Sequence, residues 1–292
     1  MKDLRVVLVV STDPSDLFFA NQLARRFSAV AVVVEDQAAA PLGPRLRRTV
    51  RRLLSPWKLP EHLRGQRIIA EHVRRTALID REGFGEEGYQ LQLPPGCQLV
   101  ELSGKGVLNR PETVERVRRL EPDLLVLCGC SILKKEILSV PRLGTLNLHG
   151  GLAQRYRGVW TTLWAVVNHE PEYVGATVHF VTPDIDDGDI VHQGRPELGA
   201  DDDPESLYVK VVRLGVEMMA SAVAGVAAGE VKRYPLEERG RLYLSSMVTP
   251  EVLARAWQAT EEGVMREYLA DRDRRDQAVL PLMRGVFPPQ GR

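Results

Sequence analysis

The sequence predicts an α/β protein whose doubly wound, mostly parallel sheet is covered by helices on both faces. Short runs of aliphatic and β-branched residues recur along the chain, as in strands buried on both faces of a parallel sheet. Segments with helical periodicity separate these runs, which is the alternation that builds such a sheet. The 292 residues suffice for one large domain, or for one domain with an appendage.

The first elements are predicted to be a strand, a helix and a second strand. Residues 5–10 (RVVLVV) and 29–34 (AVAVVV) are nearly continuous β-branched runs. Between them, Ser11-Thr12-Asp13-Pro14 is typical of a turn and helix start, and the helix continues to about Phe27. This order begins a doubly wound sheet.

An insertion at about 41–95 interrupts the alternation. In its arginine-rich part, residues 45–57, apolar residues recur at helical spacing. This pattern indicates either a packed helix with a solvated face or an amphipathic helix at a membrane surface or acidic partner. Pro56 and Pro60 are predicted to end that helix, and residues 61–80 to form another. Two further roles remain open for the insertion: it covers an acceptor pocket, or it forms a homodimer contact.

Regular alternation then resumes and continues to residue 228. The predicted strands are 98–102, 123–128, 143–148, 174–182 and 190–198, and the predicted helices are 110–120, 133–138, 160–169 and 204–228. From about residue 235 the predictions are a short strand at 239–244, a helix at 249–260 and a charged remainder. We therefore divide the chain into a main domain, residues 1–234, and a short C-terminal extension, residues 235–292.

Composition excludes several classes of function. The formal net charge is zero, so no global field attracts nucleic acid. No apolar stretch reaches the roughly 20 residues of a membrane span, and the N-terminal apolar run is too short for a secretory signal. The cysteines Cys97, Cys128 and Cys130 are too few for a disulfide framework and lack the partners of a zinc site. A cytoplasmic protein without a metal centre is expected.

The stretch around Asn147 and His149 is the first candidate for chemistry. Side chains two apart on a strand point to the same face, so these two are expected to project together at the strand's carboxyl end. Ligands of open α/β sheets bind outside that end. Gly150 and Gly151 allow a sharp turn and leave room for a ligand. An acidic loop, residues 184–188, lies about 35 residues further on, between two apolar strands; by itself it is also typical of a solvated turn.

The motifs NLHGGLAQRYRG and HFVTPDIDDG resemble those of the 10-formyltetrahydrofolate-dependent formyltransferases. That family includes glycinamide ribonucleotide, methionyl-tRNA and amino-sugar enzymes, and shares a Rossmann-like fold. The resemblance covers residues 98–230 and includes PDLLVLCGCSILKKEIL, which is similar to the family's strand and folate-side loop. It implies a catalytic trio of Asn147, His149 and Asp186, with Asp186 chosen over Asp184 and Asp187 by the motif alone.

The resemblance also implies the binding residues. The folate side is expected to comprise Cys128, Gly129, Ser131, Ile132, Leu133, Val181, Asp184 and Ile185. The acceptor side is expected to comprise Gly150, Gly151, Arg155, Tyr156, Arg157 and Gly158. The family's Ser-Leu-Leu-Pro loop is here residues 151–154 (GLAQ), which departs from the pattern. Arg155 and Arg157 are expected either to hold an anionic acceptor or to pair within the protein.

These residue types suit formyl transfer to an amine. An amide donor, Asn147, can bind the oxyanion of a tetrahedral intermediate. An imidazole, His149, can move the amine's proton or, if charged, stabilise the oxyanion, and a carboxylate, Asp186, can orient it and accept a proton through water. The chemistry requires neither a metal nor a covalent enzyme intermediate.

The acceptor is inferred by elimination. The turn at residues 11–16 has no glycine and two acids, unlike a phosphate loop, which disfavours glycinamide ribonucleotide. A tail shorter than the tRNA enzymes' C-terminal barrel and a neutral chain disfavour tRNA. The layout resembles stand-alone sugar N-formyltransferases, so a small nucleotide-linked amino sugar is expected. An amino acid, a hydroxylamine or Met-tRNA as acceptor, hydrolysis of formyl-folate, and a non-catalytic binding protein remain alternatives.

Overall fold

The computed structural model describes residues 4–37, 59–104 and 106–288. The strands of these residues are β1 Val6–Ser11, β2 Ala31–Asp36, β3 Gln98–Ser103, β4 Leu124–Cys128, β5 Thr145–His149, β6 Tyr156–Gly158, β7 Ala176–Phe180, β8 Ile190–Gly194 and β9 Arg241–Tyr243. The helices are α1 Pro14–Phe27, α2 Leu59–Phe84, α3 Pro111–Arg118, α4 Lys135–Leu138, α5 Thr161–Val167, α6 Pro204–Ala228, α7 Pro250–Glu261, α8 Val264–Ala270 and α9 Arg272–Val279.

Seven strands form the main sheet in the order β3-β2-β1-β4-β5-β7-β8, and β6 and β9 form a separate parallel pair. Strands β1 to β5 pair in parallel, whereas β7 is antiparallel to both β5 and β8. The prediction of a doubly wound, mostly parallel sheet is confirmed. The strand order reverses between β1 and β4, so their carboxyl ends and that of β5 border one crevice.

Helix α6 is the longest apolar element that packs on this sheet. It begins where the Asp203 carboxylate accepts hydrogen bonds from the backbone N–H groups of Glu205 and Ser206, at 2.9 and 2.8 Å, and it ends at Gly229 with φ 72°. A Cβ at Gly215 would lie 2.5 Å from Leu148 Cδ2, so the helix backbone approaches β5 closely. Among the described residues it alone has the length and apolar character of a membrane span, and half of that window is buried inside the protein, as in a core helix.

Two boundaries in the N-terminal half differ from the predictions. The second strand extends over residues 31–36 rather than 29–34, because its hydrogen bonds to β3 continue through the polar pair Glu35 and Asp36. The helix predicted at residues 61–80 extends over Leu59–Phe84, and Pro60 lies in its first turn, where a proline's missing N–H costs nothing. The predicted helix at residues 45–57 falls outside the described residues.

The C-terminal residues contribute to the central core. Ala259, Val264, Met265 and Tyr268 are buried in the same cluster as the apolar side chains of β1, β4 and β5. The charged remainder contains two helices, α8 and α9, that the sequence analysis did not predict. In α9 only Val279 is buried, so its sequence lacks an apolar periodicity. The domain boundary after residue 234 stays a prediction.

Candidate active site

Asn147 and His149 lie at the carboxyl end of β5, on the same face of the sheet. The two glycines that follow them, Gly150 and Gly151, lie so close to other side chains that a larger residue would not fit without a shift. A Cβ at Gly150 would lie 3.2 Å from the Tyr208 ring, and a Cβ at Gly151 would lie 2.9 Å from His149 Nε2. A larger residue at Gly151 would therefore displace the imidazole, which gives the glycine pair a steric role beside its turn.

Asp186 is the carboxylate that the structure brings to His149. Its Oδ2 atom lies 3.3 Å from His149 Nδ1 and accepts a hydrogen bond of 2.8 Å from the Gly158 N–H. Asp184 is exposed, and Asp187 forms an ion pair of 2.7 Å with Arg239. Of these three acids, Asp186 is the one that lies beside His149, and its catalytic role stays a prediction.

His149 has an oxygen atom close to each of its ring nitrogens. Nε2 is hydrogen-bonded to the Tyr156 carbonyl oxygen at 2.8 Å, and Nδ1 lies within ion-pair distance of the Asp186 carboxylate. These two contacts fix the orientation of the ring.

His179 completes the cluster, and the sequence analysis did not select it as a site residue. It lies directly opposite Asn147 in the antiparallel register of β5 and β7. Its Nε2 atom is 3.1 Å from Asn147 Nδ2 and 3.5 Å from Asp186 Oδ1, while Nδ1 faces the Phe180 carbonyl oxygen at 2.9 Å. The histidine that opens the HFVTPDIDDG motif was the available signal, but its side chain could be placed only with the strand register known.

The electrostatics of Asp186 follow from these contacts. Burial opposes ionisation of its carboxyl group, yet His149, His179 and the Gly158 N–H outweigh burial and hold its pKa well below the ordinary value. Asp186 is therefore an ionised carboxylate between two imidazoles, and it suits orientation and charge stabilisation better than proton abstraction.

The arginines predicted on the acceptor side have partners within the protein. Arg155 binds both carboxylate oxygens of Glu170, with Nε at 3.0 Å from Oε2, and its guanidinium lies 5.2 Å from the Tyr173 ring centroid. Arg157 Nε donates to the Ile185 carbonyl oxygen at 3.1 Å. The buried Tyr156 donates its hydroxyl to Glu170 at 2.6 Å. Of the two roles expected for these arginines, the observed contacts are those of internal pairing; binding an acceptor stays a prediction.

The predicted folate side begins where β4 ends. Cys128 is buried, with Sγ 3.3 Å from Asp16 Oδ1, and a Cβ at Gly129 would lie 1.7 Å from Asp16 Oδ2. The Ser131 N–H donates to Glu35 Oε2 at 2.8 Å. Burial raises the pKa of the Cys128 thiol well above its ordinary value, which fits an unreactive core residue rather than a metal ligand.

The rest of the predicted folate side offers apolar surface and backbone groups. Leu133 is buried, whereas the Ile132 side chain is 60% exposed. Val181 and Ile185 are half-buried on the neighbouring loop. Folate binding by these residues stays a prediction. In the described ranges no three His, Cys, Asp or Glu side chains are arranged to hold a metal ion.

Gly158 connects the acidic loop to the small sheet, and its replacement tests this connection. Its φ is 90°, and a Cβ there would lie 2.1 Å from the Tyr243 carbonyl oxygen. We expect Gly158→Ala to lower the free energy of unfolding by about 2 kcal/mol or more and to reduce activity, because the N–H that binds Asp186 must move. Chemical denaturation measures the first effect. Gly263→Ala is the control, since Gly263 has φ 94° but nothing within 4 Å of its Cβ position. Equal losses in the two variants would contradict the role of the close contact.

The fold and the site together define a class: a doubly wound α/β protein with an amide, two imidazoles and a carboxylate at the carboxyl edge of its sheet. Residues 89–223 match the formyl transferase family model. The chain is 32% identical over 236 residues to a methionyl-tRNA formyltransferase from Citrifermentans bemidjiense, an alignment that covers 78% of this chain and 66% of that protein. The chain belongs to the formyltransferase family.

Solved structures share the fold. A 4-N formyltransferase from Francisella tularensis superposes with a TM-score of 0.53 at 15% identity, covering 88% of each chain. A phosphoribosylglycinamide formyltransferase from Anaplasma phagocytophilum superposes with a TM-score of 0.52 at 18% identity, covering 84% of this chain and all of that one. The chain spans 47% to 66% of the length of three methionyl-tRNA formyltransferases that it matches in sequence.

Proposed function

We propose that this protein transfers the formyl group of 10-formyltetrahydrofolate to the amine of a small acceptor, a nucleotide-linked amino sugar. The observation that carries the proposal is the joint placement of Asn147, His149 and Asp186 at the carboxyl end of β5, within the matched family region. The remaining contacts assign a task to each residue.

Asn147 is the proposed oxyanion donor. An amide nitrogen carries two hydrogens, and the hydrogen bond between Nδ2 and His179 uses one of them. The second is then available for the formyl oxygen, which gains negative charge when the amine adds to the formyl carbon. His179 is thus a positioning residue that holds the Asn147 amide in one orientation.

His149 and Asp186 supply charge and a proton path. A protonated His149 beside the developing oxyanion would lower the energy of the oxyanion, and Asp186 orients the ring. In the balanced reaction the acceptor nitrogen bonds to the formyl carbon, the bond from that carbon to the folate nitrogen breaks, and the proton lost by the amine passes to the leaving nitrogen. His149 is placed to exchange that proton once its hydrogen bond with the Tyr156 carbonyl oxygen opens.

Purified protein tests the proposal directly. It is incubated with 10-formyltetrahydrofolate and a panel of amines that includes nucleotide-linked amino sugars, and N-formyl products are detected by mass spectrometry. Formylation of at least one nucleotide-linked amino sugar is the expected result. Free formate released without any amine would instead indicate hydrolysis. Absence of both products, together with no binding in a folate titration, would favour a non-catalytic protein.

Met-tRNA is the second candidate acceptor, because the sequence relatives reported above are methionyl-tRNA formyltransferases. The resemblance associates that activity with a C-terminal barrel, whereas in this chain helix α7, Pro250–Glu261, packs on α2 and α5. Initiator Met-tRNA therefore belongs in the same panel. Turnover faster with Met-tRNA than with every amino sugar would reverse the assignment.

A further inference from the structure

Strand β6 carries two backbone groups that contact the proposed catalytic residues. The Tyr156 carbonyl oxygen lies 2.8 Å from His149 Nε2, and the Gly158 N–H donates to Asp186 Oδ2 at 2.8 Å. The position of this strand therefore sets the orientation of the imidazole and that of the carboxylate together.

The strand itself is a short element outside the main sheet. It has three residues and pairs with β9, where the Arg241 N–H donates to the Arg155 carbonyl oxygen at 3.1 Å. The next carbonyl group along the chain, that of Tyr156, faces His149. A two-stranded pair of this length is marginally stable by itself, so side-chain contacts must help to hold β6 in place.

The Tyr156 side chain provides such contacts. It is 1% exposed, its ring stacks on the Tyr243 ring with the centroids 5.5 Å apart, and it lies edge-on to the Tyr173 ring at 6.4 Å. Ring packing restrains the plane of the side chain. The hydroxyl group at the end of the ring makes the directional contacts.

Glu170 and Asn168 bind the Tyr156 hydroxyl. The hydroxyl donates to Glu170 Oε2 at 2.6 Å and accepts from Asn168 Nδ2 at 3.0 Å, and the same amide nitrogen donates to the Tyr243 hydroxyl at 3.1 Å. A phenol has one hydrogen to donate, so Glu170 receives the one hydrogen bond that this hydroxyl can donate.

Glu170 binds the hydroxyl as an anion. Burial opposes ionisation of its carboxyl group, yet the hydrogen bonds from Arg155 and Tyr156 outweigh burial and hold its pKa below the ordinary value. A hydrogen bond to an ionised carboxylate is roughly twice as strong as one between neutral groups. The bond to Glu170 is therefore the stronger of the two contacts at the Tyr156 hydroxyl.

The end of helix α5 fixes Glu170 in turn. The Glu170 N–H donates to the Ala165 carbonyl oxygen at 2.8 Å, just beyond the last turn of the helix. Ala165 is buried in the same apolar cluster as Tyr156. A continuous path of contacts thus leads from the core helix α5 through Glu170 and Tyr156 to His149.

We propose that Glu170 is a positioning residue for formyl transfer: it anchors the Tyr156 hydroxyl and so keeps β6 where its backbone orients His149 and Asp186. This inference rests on the proposed function for its catalytic meaning, but the orientation of His149 is measurable without either substrate.

Replacement of Glu170 tests the effect on turnover. Glu170→Ala is expected to lower kcat for formyl transfer about 10- to 100-fold, as a small displacement of a catalytic group does. The KM values for the amine and for the formyl donor should change little, because the loss falls on the transition state. Glu170→Gln should retain more of kcat than the alanine variant, since its amide oxygen can still accept the hydrogen bond from Tyr156.

A double-mutant cycle with Tyr156→Phe identifies the path. This substitution keeps the ring and the backbone carbonyl group but removes the hydroxyl, and its loss of kcat should resemble that of Glu170→Ala. If Glu170 acts through the hydroxyl, the double variant should be no slower than the slower single variant. Multiplied losses in the double variant would show that Glu170 acts by another path and would overturn the inference.

Glu172→Ala is the matched control. Glu172 lies two residues beyond Glu170 and pairs with Arg275 Nη2 at 2.5 Å, and 12% of its side chain is exposed against 22% for Glu170. Its removal should lower the free energy of unfolding to a similar extent in chemical denaturation, while kcat stays unchanged. Equal losses of kcat in the two alanine variants would indicate general destabilisation of this turn and would also overturn the inference.

Hydrogen exchange measures how firmly His149 is held. In isotope-labelled protein without substrates, the Nε2–H signal of His149 is assigned in NMR spectra by its absence in His149→Gln. The ring is buried and bonded to the Tyr156 carbonyl oxygen, so exchange with solvent should be slow. In Glu170→Ala and Tyr156→Phe it should be about tenfold faster or more, as loss of one charge-assisted hydrogen bond allows, and in Glu172→Ala unchanged. Unchanged exchange in the first two variants would reject the positioning role.

The two proposals fail in different ways. If the parent protein formylates no amine, the proposed function fails, whereas faster exchange in Glu170→Ala and Tyr156→Phe would still show that Glu170 holds His149 in place. If the parent protein is active and both variants retain its kcat and its exchange rate, the positioning inference fails and formyl transfer stands.

Discussion

Replacing Asp186 with asparagine is expected to lower kcat/KM for formyl transfer by a factor of about 10² to 10⁴, the range for loss of acid–base assistance. The carboxylate contacts both imidazoles, with Oδ2 on His149 and Oδ1 on His179. An amide of the same size presents at most one acceptor atom, so the charged form of His149 loses its counterion. Initial rates of tetrahydrofolate release measure the effect.

The same substitution should change stability in a pH-dependent way. Because the folded protein holds the pKa of Asp186 below 3.8, the ionised carboxylate stabilises the fold above that pH, and this contribution is lost as the pH falls further. Removing one partner of a buried charge cluster costs about 3 kcal/mol. The gap in unfolding free energy between parent and Asp186→Asn should thus be present at pH 7 and narrow in acid.

The exposed neighbour Asp189 provides the matched control. Asp189→Asn removes a carboxylate three residues away, and we expect its rate to stay within about twofold of the parent, as for a surface change. Comparable losses in both variants would show that the loop needs negative charge in general. An Asp186→Asn protein with most of its activity would refute the proposed role.

The second large effect is expected for Asn147→Ala, with kcat lower by a factor of about 10² to 10³, the loss typical of one oxyanion donor. The interaction forms only as the formyl oxygen becomes charged, so KM for the amine should change little. Steady-state kinetics at varied amine concentration separate the two parameters. A raised KM with an unchanged kcat would instead place Asn147 in acceptor binding.

His179→Gln refines this prediction. The glutamine side chain retains an amide oxygen that can accept the hydrogen bond from Asn147 Nδ2, whereas His179→Ala removes it. If His179 acts through Asn147, the glutamine variant should retain more of kcat than the alanine variant. Equal losses in kcat would contradict the positioning role.

Much of the architecture could be predicted from the local sequence. Strands buried on both faces are continuous apolar runs, and β1, β4 and the helices α1 and α6 were predicted nearly to their observed ends. The differences between the predicted and the observed elements have physical causes. Strand β2 continues through polar residues because the extent of a strand is set by its backbone hydrogen bonds and not by its hydrophobicity. Helix α9 lies at the surface and has almost no apolar face, so its sequence lacks a helical pattern.

The residues of the candidate site also divide into those that the sequence could place and those that required the tertiary structure. Asn147 and His149 share a face because side chains alternate along a strand, a regularity that requires no tertiary information. His179 joined them only through the register of β5 and β7, two strands whose pairing depends on the whole sheet.

The sequence by itself thus determined the class of fold, the face on which Asn147 and His149 project and, through its motifs, the formyltransferase resemblance, because periodicity and short motifs are local properties. Only the tertiary structure decided that Asp186 lies between two histidines and that Arg155 and Arg157 have partners within the protein. Those facts depend on distances between segments that are remote in the chain, and packing rather than composition sets such distances.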